Sequence, residues 1–117
     1  MKIIHTVGAQ GDVLFRRVDA LPPNAVEQKR ENRIVVSHSE TGHAHAIDDS
    51  GVIRYEVGNP MVCYLRIEGP WADVIHHRGH DPHETMRLRG GTRAKPAIYE
   101  VKRQREATPE GWTRVKD

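Results

Sequence analysis

Cysteine is nearly missing from this chain: Cys63 stands alone among 117 residues, so no disulfide can close within it. No apolar run approaches the roughly 18–20 residues of a membrane-spanning helix. The opening MKIIHTVGAQGD holds only a short apolar stretch, interrupted too soon for a signal peptide. The two absences together point to a reducing cytoplasm and to no membrane association. Aromatic residues make up only 5% of the chain, which leaves few platforms for stacking on bases. There is no internal repeat, no low-complexity tract and no linker, so residues 1–117 are expected to form one domain around a single modest core.

Charge is plentiful, at 29% of residues, and unevenly spread. The chain carries a net +2, yet residues 87–117 hold nine Lys/Arg against four Asp/Glu. A basic C-terminal segment is compatible with nucleic acid or another acidic partner, and equally with a solvated face.

The apolar pattern has period two, the signature of strands. DVLFRRV (12–18), RIVVSH (33–38), VIRYEV (52–57) and MVCYLRIE (61–68) all alternate, and AIYEVKRQRE (97–106) reads as a late strand running into charge. Met61, Cys63, Leu65 and Ile67 share one face of their strand, which makes Cys63 a small core residue. Breakers at LPPN, DDSG, GNP, EGP, HDPH and RGG separate the runs. This spacing predicts an all-β fold, a small barrel or sandwich, with at most a short helix near the C-terminus. NAVEQKREN (24–32) has the composition of a helical turn. TPEGW (108–112) resembles a helix start, Thr108 capping and Pro109 in first position.

Eight histidines fall largely into two clusters, TGHAHAIDD (41–49) and HHRGHDPHE (76–84). On an extended strand His43 and His45 project to one side, with Ile47 following and Gly42, Ala44 and Ala46 behind. Two imidazoles so placed bind one ion, and neutral imidazole suits Zn, Fe, Ni or Cu alike. A catalytic ion usually takes three protein ligands and keeps an open position. In the second cluster Ile75 and His77 share a face opposite Val74 and His76, and a bend at Arg78-Gly79 would bring His80 beside His77. The expected ligand set for a divalent transition metal is therefore His43, His45, His77 and His80, with His83, Asp49 and Glu84 as substitutes. His5 and His38 read as structural or surface residues.

Hydrolases of the metallo-β-lactamase type continue HxHxDH, whereas Ala46, Ile47 and Asp48 follow His45 here. GHAHAIDD resembles the first motif of the cupin family, with Asp49 where the acidic ligand stands and His77 or His80 as the third histidine. The Pro-x-Gly of the second cupin motif is missing. The resemblance implies a small metal-holding β-barrel. QGDVLFRRVDALP, TGHAHAI, HRGH and RQREATPEG together resemble a family of short uncharacterised proteins from bacteria and their phages. That resemblance implies a cellular setting and no mechanism. The positions matching its pattern are Gln10, Gly11, Asp12, His43, His45, His77, His80, Arg103, Gln104 and Glu106.

Three functions are compatible with these features. The first is a metalloprotein, in which the ion lowers the pKa of bound water toward about 7, with Asp48, Asp49, Glu40 or Glu84 as candidate bases. The second is a binding module contacting phosphates through VKRQRE and TRVK. The third is a phage or mobile-element accessory protein acting through its surface. A homodimer is expected, because a small β domain leaves edge strands open to pairing.

Overall fold

Every predicted strand run finds a partner in the structure, a computed structural model that describes residues 2–38, 44–77, 85–103, 105–108 and 111–114. For His38, His77, 105–108 and 111–114 the description covers the backbone alone. The strands are β1 (Lys2–Ile4), β2 (Val7–Gln10), β3 (Val13–Val18), β4 (Val26–Glu27), β5 (Ile34–His38), β6 (Ala44–Ile47) and β7 (Val52–Glu56). They continue as β8 (Val62–Ile67), β9 (Trp71–His77), β10 (Met86–Arg89), β11 (Ala97–Arg103), β12 (Arg105–Thr108) and β13 (Gly111–Arg114).

One sheet runs β1-β10-β9-β6-β5 and the other β2-β3-β11-β8-β7-β4. Only β1 against β10 is parallel among these pairings. Period-two alternation turns one face of each sheet inward. Ile4, Ile34, Val36, Ile47, Ala72, Val74, Met86 and Leu88 come from the first sheet. Val13, Phe15, Val52, Cys63, Leu65, Ile67, Ala97, Tyr99 and Val101 come from the second, and together they form one buried cluster. The fold is thus an all-β globule of two facing sheets. No helix long and apolar enough to cross a membrane occurs among the described residues.

Two local expectations are corrected. Within NAVEQKREN the chain forms β4 instead of a helical turn, Val26 and Glu27 pairing with Glu56 and Tyr55. Near the C-terminus β12 and β13 form a hairpin, with Thr108 opposite Gly111, where a helix start was expected. Pro followed two residues later by Gly is a turn signal as well as a helix-start signal, and no apolar stripe follows to hold a helix down.

The two ends of the sandwich differ. At one end the Glu68–Pro70 turn is tied to β10 by Gly90 N–H on Pro70 O (2.9 Å) and Gly91 N–H on Gly69 O (2.8 Å). Gly90 is required there, since a Cβ would stand 2.0 Å from Gly69 O. At the other end the inward face changes from aliphatic to polar.

Candidate functional site: a buried histidine–aspartate end

The polar end begins with the β2–β3 hairpin. Gln10 pairs with Val13, leaving Gly11 and Asp12 as a two-residue loop. Gly11 has φ +58°, the left-handed conformation that a two-residue hairpin with glycine in first position uses. Val13 also pairs with Arg103 of β11. One row across this sheet therefore carries Gln10, Val13 and Arg103, with Asp12 beside them. In the facing sheet, His45 of β6 lies opposite His76 of β9 and opposite Ser37 of β5.

Gln10, Asp12, His45 and His76 are all buried. Uncompensated, polar groups in such positions cost several kcal/mol, and the arrangement compensates them. Gln10 Nε2 donates to Val74 O at 2.9 Å. A carbonyl only accepts, so this bond fixes the amide orientation and turns Oε1 toward His45 Nδ1, also 2.9 Å away. Nδ1 must then carry the proton. His45 Nε2 faces Asp12 Oδ1 at 3.6 Å, and Arg103 Nε stands 3.9 Å from Asp12 Oδ2. In the neutral tautomer that Gln10 selects, Nε2 is an acceptor facing a carboxylate oxygen. A cation on that side of the ring, a proton or a metal ion, would make the approach favourable.

The His45 and His76 rings stack, centroids 3.9 Å apart and planes 15° from parallel. This face-to-face stacking prevents both rings from aiming a nitrogen at one ion. Among the described residues no group of three His, Cys, Asp or Glu could hold a metal.

The expected ligands fall as follows. His45 lies at the polar end, on the buried face of β6 together with Ile47. His77 is the register partner of Ala44; its side chain lies outside the description, as do His43, His80, His83, Glu40 and Glu84. The pairing of Ala44 with His77 brings together the point where the first histidine segment enters the sheet and the point where the second leaves it. Asp49 stands past the far end of β6, where its carboxylate accepts Asp73 N–H at 2.8 Å. Asp48 pairs with Arg33 at 3.0 Å.

Sequence reasoning left His76 out. Both faces of DVIHH carry one aliphatic residue and one histidine, so only the register with β6 selects Val74 and His76 as the inward pair. Gln10, Asp12 and Arg103 were visible as positions in a recurrent pattern, but their convergence on His45 is a product of tertiary pairing.

Beside this cluster, between β5 of one sheet and β7, β8 and β11 of the other, lies a cleft of about 330 Å³ bordered by Ser37, Arg54, Glu56, Cys63, Val101 and Arg103. Cys63 donates to Val36 O at 3.8 Å. Burial pushes its thiol up to about 11, against the opposing charge and hydrogen bond of Arg54. It is therefore a neutral wall residue and no nucleophile at physiological pH.

Residues 9–104 match a protein-family model described as a domain of unknown function (DUF8820). No curated protein and no solved structure matches the chain.

Proposed function

Since this chain belongs to the DUF8820 family, whose description carries no activity, we propose a function from its own chemistry: it binds a divalent transition metal at the polar end of the sandwich. His45 Nε2 and the Asp12 carboxylate contribute two ligands, and His43 and His80 supply the remainder, the inward position on β9 being taken by His76. The observation carrying this reading is the Gln10-locked His45 ring. A metal-bound histidine regularly donates its other N–H to a carbonyl or carboxylate, which orients it and raises its basicity; Gln10 Oε1 does this for His45. The 3.6 Å between Nε2 and Oδ1 is close to the separation of about 3.3 Å that two bonds of about 2.0 Å make at a tetrahedral ion. The Ala44–His77 pairing supports the same reading by bringing both histidine segments to that end. Zn, Fe, Ni and Cu are all compatible with imidazole and carboxylate ligands.

Metal analysis of untagged protein tests the proposal. A near-stoichiometric transition metal is expected, lost in a His43→Ala/His45→Ala variant that remains folded. Metal-free parent protein after zinc-saturated purification would overturn it. The cupin-like, cytoplasmic and bacterial or phage setting belongs to the same proposal. So does a homodimer formed through edge strands carrying the exposed Ile3, Val7 and Val26.

A second reading has its own observation. The β12–β13 hairpin is a separate two-stranded sheet, and its register sets Arg105 opposite Arg114. Like charges at facing positions destabilise a hairpin, and an acidic partner such as nucleic acid would relieve them. Steep loss of binding to a DNA or RNA oligonucleotide with added salt supports this reading, and salt-independent or absent binding refutes it.

A further inference from the structure

The cleft beside the histidine cluster contains a departure from the core pattern that the metal does not explain. On β8, Ile67, Leu65 and Cys63 fill the inward face, and their register partners on β7 are Val52, Arg54 and Glu56. A guanidinium and a carboxylate thus occupy positions that the sandwich elsewhere fills with aliphatic side chains. Arg54 Nη1 donates to Glu56 Oε1 at 2.8 Å. The Glu56 side chain is 55% exposed, so this pair is screened and its carboxylate is free to exchange with another anion. Arg54 Nε is buried with no hydrogen-bond partner among the described residues. Arg103 borders the same cleft, with its Nε 3.9 Å from Asp12 Oδ2. Val101 and the protonated Cys63 form an apolar wall behind them.

We infer that this cleft binds a small oxyanion, a carboxylate or phosphate group on a short apolar body, with Arg54 as the principal anchor and Ser37 as a neutral hydrogen-bonding group. Its volume of about 330 Å³ falls within the range of about 300–1,000 Å³ usual for small-molecule sites. A planar guanidinium fork suits a bidentate oxyanion, which a lysine would not replace. Arg103 connects the two sites, since it stands 3.9 Å from Asp12 Oδ2 on one side and borders the cleft on the other. The inference does not depend on the metal.

The test is an amide-detected NMR titration with inorganic phosphate and, separately, with butyrate, against a sodium chloride control of equal ionic strength. Each titration is run on protein as purified and on protein treated with chelator. Saturable shifts confined to Val35–Ser37 and Arg54–Glu56, with an apparent Kd of about 1 mM, are expected for a few charge-assisted hydrogen bonds. Saturation by phosphate alone or by butyrate alone supports the site and identifies its head group. Arg54→Gln should weaken binding at least tenfold and Arg54→Lys by less, both with native-like spectra. No saturation by either probe up to about 50 mM, or shifts spread over the whole surface, would overturn the inference. Failure here with metal still bound leaves the metal reading intact, and loss of metal with the titration unchanged separates the two in the other direction.

Discussion

Replacing Gln10 with alanine removes the group that sets the chemistry of the polar end. In the folded protein its amide serves Val74 O and His45 Nδ1 at once, both at 2.9 Å and both buried. Deleting one partner of a buried hydrogen bond costs about 1–3 kcal/mol, because the group left behind loses water without replacement. Two such losses bracket about 2–6 kcal/mol. A water molecule admitted to the vacated space recovers part of this, which gives an expected destabilisation of about 3 kcal/mol. That is a large share of the roughly 5–15 kcal/mol stability of a small domain. Urea unfolding followed by tryptophan fluorescence, with a two-state fit, measures it. With His45 no longer held in one tautomer, metal affinity should also fall about 10–100-fold in the same variant. A loss of stability below about 0.5 kcal/mol, typical of an ordinary surface change, would refute the buried bridging role.

The other predictions concern other groups of the fold. Burial alone would raise the Glu100 carboxyl, but the Tyr64 hydroxyl at 2.9 Å and the charges of Lys102 and Arg16 outweigh it and hold the group below 4.5. Its stabilising contribution is therefore complete above that value and disappears as pH falls through the lower folded value, so Glu100→Gln should flatten the acid limb of urea stability measured from pH 6 to 3. The Cys63 thiol, pushed up by burial to about 11, should resist a thiol reagent at pH 8 in native protein and react stoichiometrically in denaturant. Gly90→Ala should cost at least about 3 kcal/mol or abolish folding, because the new Cβ would lie 2.0 Å from Gly69 O. Gly8→Ala should cost less, since the obstruction is the Ile4 side chain, Cδ1 at 2.1 Å and Cγ1 at 2.8 Å, and no backbone atom.

The long strands could be read from alternation because their length repeats the pattern, most fully in β8, where Cys63, Leu65 and Ile67 all face inward. The short ones could not. β1 and β10 contain three and four residues, which gives one or two alternations and no contrast with a loop. β2, of four residues, hides behind a glycine and an alanine. The site was legible to the same extent. His45 was identified because His43, His45 and Ile47 form a local pattern. Choosing between His76 and His77 needed the antiparallel register of β6 with β9, which no local pattern contains. Asp49 was attractive by spacing from the histidines. However, the strand between them carries it to the opposite end of the sheet, where it caps Asp73 N–H. Gln10, Asp12 and Arg103 come from chain segments up to 93 positions apart and meet only because Val13 is paired on both sides.

The claim that a cation other than a proton sits on His45 is tested most directly by long-range proton–nitrogen NMR of the imidazole rings in zinc-saturated protein. Nδ1 should retain its proton, bonded to Gln10, while Nε2 should carry none and shift to the position of a metal-bound nitrogen. A His45 ring with protons on both nitrogens in the presence of excess zinc would contradict the account, leaving the pair with Asp12 as a buried ion pair and the metal centre without its best-defined ligand.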